Sequence, residues 1–189
     1  DMGILAGDAL LNYAFETAVS AFSIEGVDAG NIGEALQVLA KKAGIYGMIG
    51  GQVVDVKCTG QSILGDTLDF IYRLKTGALI EGSMMIGAIL AGASKEEIKS
   101  VETIAQKVGL AFQIQDDILD VTSTAEVLGK PIHSDEKNEK TTYVTWKGIE
   151  AAKAEVKQLS EEAVKELKRL ESTDEYLELL LESLIYRKK

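Results

Sequence analysis

Apolar residues recur every three or four positions along most of the chain, which is the spacing of a buried stripe on an α-helix. Leu11, Phe15 and Val19 form such a stripe and predict a first helix over residues 8–22. No stretch shows a convincing alternation of apolar and polar residues, the pattern that indicates a strand. The chain is therefore predicted to be all-α, with one domain over residues 1–189.

Polar caps and glycines divide this pattern into further helices. Asn31 followed by Glu34 resembles a capping box and predicts the start of a second helix, which the glycines at 47, 50 and 51 are expected to kink. Ser94 followed by Glu97 predicts the start of a long helix in the same way. The predicted helices after the first span residues 31–55, 66–91, 94–120, 149–171 and 174–187, with loops over 57–65 and 122–140.

Composition and charge narrow the function. The formal charge of −10 argues against binding to nucleic acid, although a polyphosphate could bind to acidic residues through divalent cations. Cys58 is the only cysteine in the sequence, so no internal disulfide can form, and no signal-peptide pattern opens the chain. The apolar run over residues 82–93 is too short to span a bilayer. A cytoplasmic protein without a membrane span is predicted.

The sequence FQIQDDILD, residues 112–120, contains the clearest candidate chemistry. On a helix, the spacing of three or four residues places Gln113, Asp116, Asp117 and Asp120 on one face. Three crowded carboxylates repel each other unless a cation neutralises them, and Mg²⁺ prefers such oxygen ligands. A solvated acidic face is the alternative, but the surrounding Leu, Ile and Phe residues argue against it.

Basic and polar residues elsewhere could complete an anion site. Lys75 lies in an apolar helix, where it should either pair with an acid, contact an anion or extend its ammonium group into water. Gln52 and Asp55 share a helical face just after the glycines. Lys130 and Lys140 lie in or beside the long loop, which could fold over a bound anion. Taken singly, each loop lysine is more simply explained by solvent exposure.

Several short motifs occur in a characteristic order along the chain. They are Gly7-Asp8, Gly50-Gly51-Gln52 with Asp55, Lys75-Thr76-Gly77-Ala78-Leu79, Phe112 through Asp120, and Gly129-Lys130. This order resembles the trans-polyprenyl diphosphate synthases of the farnesyl or geranylgeranyl type, especially the short-chain bacterial farnesyl diphosphate synthases. The resemblance covers essentially the whole chain. It implies an isoprenoid-synthase-type helical bundle around a central cavity, usually in a homodimer.

The resemblance also implies roles for individual residues in a prenyltransferase. Such an enzyme condenses isopentenyl diphosphate with an allylic diphosphate after Mg²⁺-assisted ionisation of the allylic substrate. Asp116, Asp117 and Asp120 would bind Mg²⁺ and, with Lys75, be catalytic. Lys75, Lys130 and Lys140 would bind the substrate diphosphate. The allylic pocket would be formed by Thr76, Gln113, Gln52, Asp55 and Phe112.

The family's first aspartate-rich motif and its isopentenyl diphosphate site correspond to positions upstream of Asp1. We therefore expect this chain to be the C-terminal portion of a polyprenyl synthase domain, without its N-terminal helices and inactive by itself. The residues that set the product chain length would also lie upstream.

Other classes of protein agree less well with the sequence. A non-catalytic subunit of a heteromeric prenyl synthase is the main alternative, although an intact Asp116, Asp117 and Asp120 favours an active enzyme. A class I terpene cyclase would carry a different second metal motif. A di-iron bundle would need Glu-x-x-His pairs, whereas His133 is the only histidine. A plain helical interaction module would leave the ordered motifs unexplained.

Overall fold

The computed structural model describes residues 1–124, 140–170 and 175–187, and all regular secondary structure within them is helical. The all-α prediction is confirmed. The α-helices are α1 (Met2–Val19), α2 (Ala29–Ala43), α3 (Met48–Cys58), α4 (Gly65–Tyr72), α5 (Ala78–Leu90), α6 (Lys95–Thr122), α7 (Tyr143–Lys147), α8 (Ile149–Leu167) and α9 (Glu175–Ile185). A 3₁₀ turn (Ser20–Ser23) follows α1, and a π-helical turn (Arg73–Gly77) joins α4 to α5.

Helix α6 forms the centre of the bundle and packs against α5 on one side and α8 on another. Its apolar stripe of Ile104, Val108, Ala111, Ile114 and Ile118 is buried, with the three- and four-residue spacing of a helical face. Burial of each large aliphatic side chain contributes about 1.5–3 kcal/mol. The end of α6 that carries the aspartates is therefore held in the hydrophobic core.

The start of α2 corrects one predicted cap. The cap is Asp28 rather than Asn31, because an Asp28 carboxylate oxygen accepts the Asn31 backbone N–H at 2.9 Å. The predicted kink after this helix is a complete break between α2 and α3. At Gly47 a Cβ atom would lie 2.0 Å from the Lys42 carbonyl oxygen, so the chain turns there more tightly than a side chain allows.

The later boundaries agree more closely with the prediction. The capping box of Ser94 and Glu97 opens α6 as expected. Helix α7 was not predicted; it is one short helix opened by a capping box of Thr142 and Thr145, in a run of Tyr, Val, Thr and Trp that disfavours helix. Much of the predicted loop at 122–140 lies outside the described residues.

Helix α1 differs from the others because none of its residues is buried, although it carries Leu5, Leu10 and Tyr13. No helix in the described ranges combines the length and the apolar character needed to cross a membrane.

Candidate active site

A close approach between α3 and the π turn brings the first two charged groups together. A Cβ atom at Gly51 would lie 2.3 Å from the Lys75 backbone nitrogen, so only glycine permits this packing. Asp55 follows one helical turn later and accepts a hydrogen bond from Lys75 Nζ at 2.6 Å. Lys140 Nζ also donates to Asp55, at 3.0 Å from each carboxylate oxygen. One carboxylate thus holds two ammonium groups.

The electrostatics of Asp55 follow from this arrangement. Burial alone would raise the pKa of the Asp55 carboxyl, but the hydrogen bonds and charges of Lys75 and Lys140 outweigh it and hold that pKa below its usual range. Asp55 is therefore ionised near neutral pH. The carboxylate and its two lysines together carry a net positive charge.

A second glycine contact joins the π turn to α6. A Cβ atom at Gly109 would lie 2.9 Å from the Gly77 Cα atom, which shows how closely the two backbones approach. One turn further along α6, Gln113 Oε1 accepts a hydrogen bond from the Thr76 hydroxyl at 2.8 Å. Two residues predicted to share the allylic pocket are thus in direct contact. π-helical turns often occur at functional sites, and this one places Lys75 and Thr76.

Asp116 is the most accessible carboxylate of the acidic helix face, with a side chain 32% exposed. Its Oδ1 atom accepts a hydrogen bond from Arg187 Nη2 at 2.7 Å. The Arg187 guanidinium also stacks over the Phe112 ring, 3.6 Å from the centroid. A cation from the chain terminus therefore already lies against Asp116.

Asp117 has a different environment, because it is only 3% exposed. Its Oδ2 atom accepts hydrogen bonds from the Tyr72 hydroxyl at 2.5 Å and from the Tyr143 backbone N–H at 2.8 Å. The Tyr143 hydroxyl donates to Asp69 at 3.1 Å. Burial, together with the nearby Asp69 charge, raises the pKa of the Tyr143 hydroxyl, which therefore stays protonated.

These groups surround a cavity of about 250 Å³. It brings together six of the predicted site residues, namely Asp55, Lys75, Gln113, Asp116, Asp117 and Lys140. Apolar side chains of Ile63, Leu68 and Ile71 form another part of its wall.

The remaining predicted site residues lie elsewhere. Asp120 is buried in the interior, and Gln52 is exposed to solvent; neither belongs to the cavity wall among the described residues. Thr76 and Phe112 are also absent from the described cavity wall, and they contact Gln113 and Arg187 respectively. Lys130 lies outside the described residues.

The donor chemistry of the site agrees with a hard divalent cation. Asp116 and Asp117 supply carboxylate oxygens at the cavity, and the guanidinium against Asp116 shows that a positive charge is stable there. No cluster of three or more Asp, Glu, His or Cys side chains suited to a metal occurs in the described part of the chain. The assignment of Asp116, Asp117 and Asp120 as a joint ligand set stays a prediction.

Sequence reasoning missed Tyr72, Tyr143 and Arg187, which hydrogen-bond to Asp116 or Asp117. Tyr72 lies three residues before Lys75, and Tyr143 lies three residues after Lys140. Both tyrosines are thus close in sequence to predicted site lysines, but no motif or spacing marked them as site residues. Arg187 is 71 residues from Asp116, and no local signal could pair them.

The helical bundle thus carries a cavity lined by two lysines and three aspartates among the described residues. Comparison with known proteins then gives the family. A family model described as polyprenyl synthetase matches residues 1–180, and the chain belongs to that family.

Relatives within the family are prenyl synthases. A chloroplastic geranylgeranyl pyrophosphate synthase of Capsicum annuum is 44% identical over 173 residues, covering 91% of this chain and 46% of that protein. The farnesyl diphosphate synthase of Geobacillus stearothermophilus is 38% identical over 152 residues, covering 80% and 51%. The chain thus spans about half the length of these relatives.

Solved structures share the fold. A geranyltransferase from Helicobacter pylori, crystallised with magnesium and isoprenyl diphosphate, superposes with a TM-score of 0.80 at 33% identity. The match covers 96% of this chain and 58% of that one. The expected resemblance to prenyl diphosphate synthases and the expected helical fold are both confirmed.

Proposed function

We propose that this chain forms the allylic-diphosphate side of a Mg²⁺-dependent prenyl diphosphate synthase of the farnesyl or geranylgeranyl type. It would be the C-terminal portion of one polyprenyl synthase domain, and the complete enzyme would join isopentenyl diphosphate to an allylic diphosphate. The observation that carries the proposal is the convergence of Lys75 and Lys140 with Asp116 and Asp117 on one cavity.

The side chains suit the two ends of an allylic diphosphate. Lys75 and Lys140 would bind the diphosphate oxygens and stabilise the charge that develops when the allylic C–O bond breaks and its electron pair leaves with the diphosphate. Ile63, Leu68 and Ile71 would exclude water from the carbocation. The double bond of isopentenyl diphosphate then forms the new C–C bond, and the departed diphosphate takes up the released proton.

Asp116, Asp117 and Asp120 are the residues proposed to hold Mg²⁺ in this reaction. When bound, the ion supplies electrostatic stabilisation of the leaving diphosphate. At Asp116, the carboxylate must first lose or share its contact with Arg187. Asp120 is buried like Asp117, but it does not line the cavity among the described residues, which makes it the least direct of the three.

Calorimetric titration of the 189-residue chain with geranyl diphosphate tests this proposal. We expect binding in the presence of Mg²⁺ and much weaker binding when EDTA is added. Lys153→Ala should leave this binding unchanged, because Lys153 is an exposed lysine of α8 that pairs only with Glu150 among the described residues. Equal affinity with and without Mg²⁺, or no affinity in either condition, would contradict the proposal.

We also propose a homodimer located in the cytoplasm. The apolar side chains exposed along α1, including Leu5, Leu10 and Tyr13, favour association with a second copy of the chain. Sedimentation equilibrium should give twice the chain mass, and Leu10→Glu should shift the equilibrium toward the monomer. Fluorescence imaging of a tagged protein in its native cell tests the location.

A further inference from the structure

Residues 140–147 form a short segment that contacts α4, α6 and α8, and we name this segment the strap. It begins with Lys140, which reaches the cavity, and ends with α7. Near its start, the Thr141 hydroxyl accepts the Ile63 backbone N–H at 3.3 Å. The strap thus crosses the edge of the cavity and contributes one of the two lysines that line it among the described residues.

Asp117 anchors the strap to α6. Its Oδ2 atom accepts the Tyr143 backbone N–H from the strap and the Tyr72 hydroxyl from the last residue of α4. Both donors converge on one oxygen of a carboxylate that is 3% exposed. A buried charge is tolerated when hydrogen bonds replace its lost solvation, and Tyr72 and Tyr143 supply two of these bonds.

Further contacts between the two tyrosines fix the geometry. Their rings stack with centroids 6.0 Å apart, and the Tyr143 hydroxyl donates to Asp69 on α4. The Tyr143 ring also contacts Trp146 edge-on at 5.3 Å. Tyr72 therefore supports the strap twice, through Asp117 and through its own ring.

The anchor controls the position of Lys140 because the two are close in sequence. Tyr143 follows Lys140 by three positions, so the Cα atoms can be at most about 11 Å apart. Loss of the Tyr143 contact would release the lysine from Asp55 and from the cavity. The Lys140 ammonium group would then no longer be held in a fixed position relative to α6.

We infer that Tyr72 and Asp117 are positioning residues that place Lys140 at the proposed diphosphate site, with Tyr72 orienting Asp117 and Asp117 holding the strap. This inference rests on the proposed function and refines it, since it gives Asp117 a further role in holding the strap. Asp116 is the more accessible carboxylate for the metal, because its side chain is 32% exposed while Asp117 is 3% exposed.

The chain contains a built-in reporter for this arrangement. Trp146 is the only tryptophan, lies on the strap, and is 43% exposed. Its fluorescence quenching by acrylamide measures whether the strap stays docked. Tyr72→Phe removes only the hydroxyl that donates to Asp117, and Tyr46→Phe is the matched control because Tyr46 is exposed and remote in sequence from the strap.

For Tyr72→Phe in the 189-residue chain we expect the quenching constant to rise toward about twofold, the ratio of full exposure to the present exposure of Trp146. Affinity for inorganic pyrophosphate with Mg²⁺ should fall about three- to tenfold, the effect of losing about one hydrogen bond. Tyr46→Phe should change neither quantity. Unchanged quenching in Tyr72→Phe would overturn the inference.

A double-mutant cycle separates positioning from general stability. If Tyr72 acts through Lys140, then Tyr72→Phe should weaken pyrophosphate binding little further in a Lys140→Ala background. Fully additive losses would show that Tyr72 does not act through Lys140.

Asp116→Asn should raise the Mg²⁺ requirement without changing the Trp146 quenching, whereas Asp117→Ala should increase the quenching.

The two proposals fail in different ways. A wild-type chain that does not bind Mg²⁺ and pyrophosphate would overturn the proposed function, while the quenching of Trp146 would still judge whether Tyr72 anchors the strap. Normal binding with undisturbed quenching in Tyr72→Phe would overturn the anchoring alone.

Discussion

Replacement of Asp55 by asparagine tests the charged centre of the site directly. Asp55 accepts from Lys75 at 2.6 Å and from Lys140 at 3.0 Å, and such charge-assisted bonds contribute about 1.5–3 kcal/mol each when desolvated. The Lys75 side chain is 36% exposed and that of Lys140 is 27% exposed, so solvent screening lowers the combined contribution to about 1–2 kcal/mol. Asp55→Asn should reduce the free energy of unfolding by that amount at pH 7.

The stability difference between wild type and Asp55→Asn should depend on pH, and the lowered pKa of Asp55 sets the direction of that dependence. The pKa of Asp55 is lowered in the folded chain, so its stabilising contribution is complete above the unfolded pKa of about 3.9 and is lost as the pH falls through the folded pKa. The difference between wild type and Asp55→Asn should therefore be constant from pH 7 to pH 5 and shrink below about pH 4.

Urea unfolding followed by circular dichroism measures both effects. Glu150→Gln is the matched control, because it removes an exposed carboxylate that pairs with Lys153 and should change stability by less than about 0.5 kcal/mol. If Asp55→Asn resembled the control at pH 7, or if its deficit were undiminished at the lowest pH where the wild type is folded, the reasoning about the lysine pair would be wrong.

Other substitutions probe the site and its support. Lys75→Ala should weaken Mg²⁺-dependent pyrophosphate binding about tenfold while lowering stability by less than about 1 kcal/mol, measured by calorimetry and urea unfolding. In the complete enzyme, Asp116→Ala should lower turnover by several orders of magnitude; a rate within about tenfold of wild type would contradict its role. Gly51→Ala should destabilise the chain by about 1–3 kcal/mol in thermal unfolding, because the Cβ atom of the alanine would clash with the Lys75 backbone. Ile114→Ala should cost about 2–5 kcal/mol in the same assay.

The sequence predicted the parts of the fold that depend on local pattern. The stripe on α6 and the capping box of Ser94 and Glu97 were both readable, because a helix repeats every 3.6 residues and its first turn needs side-chain acceptors. The cap at Asp28 was misassigned to Asn31 because both residue types can cap a helix, and only the backbone geometry decides between them.

The site was predicted less completely, for a physical reason. Helical spacing put Asp116, Asp117 and Asp120 on one face, but that face is wide enough that only Asp116 and Asp117 reach the cavity while Asp120 is buried in the interior. Contacts made across long sequence separations, such as Arg187 with Asp116, depend on how helices pack and leave no local signal. The direct contact of Thr76 with Gln113 belongs to the same class.

The π turn at Arg73–Gly77 makes the continuous helix from α4 to α5 sensitive to the length of the chain. Such a turn holds one residue more than the α-helical ladder needs, so deletion of a single residue there could be absorbed as a regular helix. Because the extra residue is taken up within the widened turn, its deletion would leave α4 and α5 nearly in register but would remove the local geometry that places Lys75 and Thr76. Natural or engineered length variants at these five positions should therefore fold, yet lose their ligand.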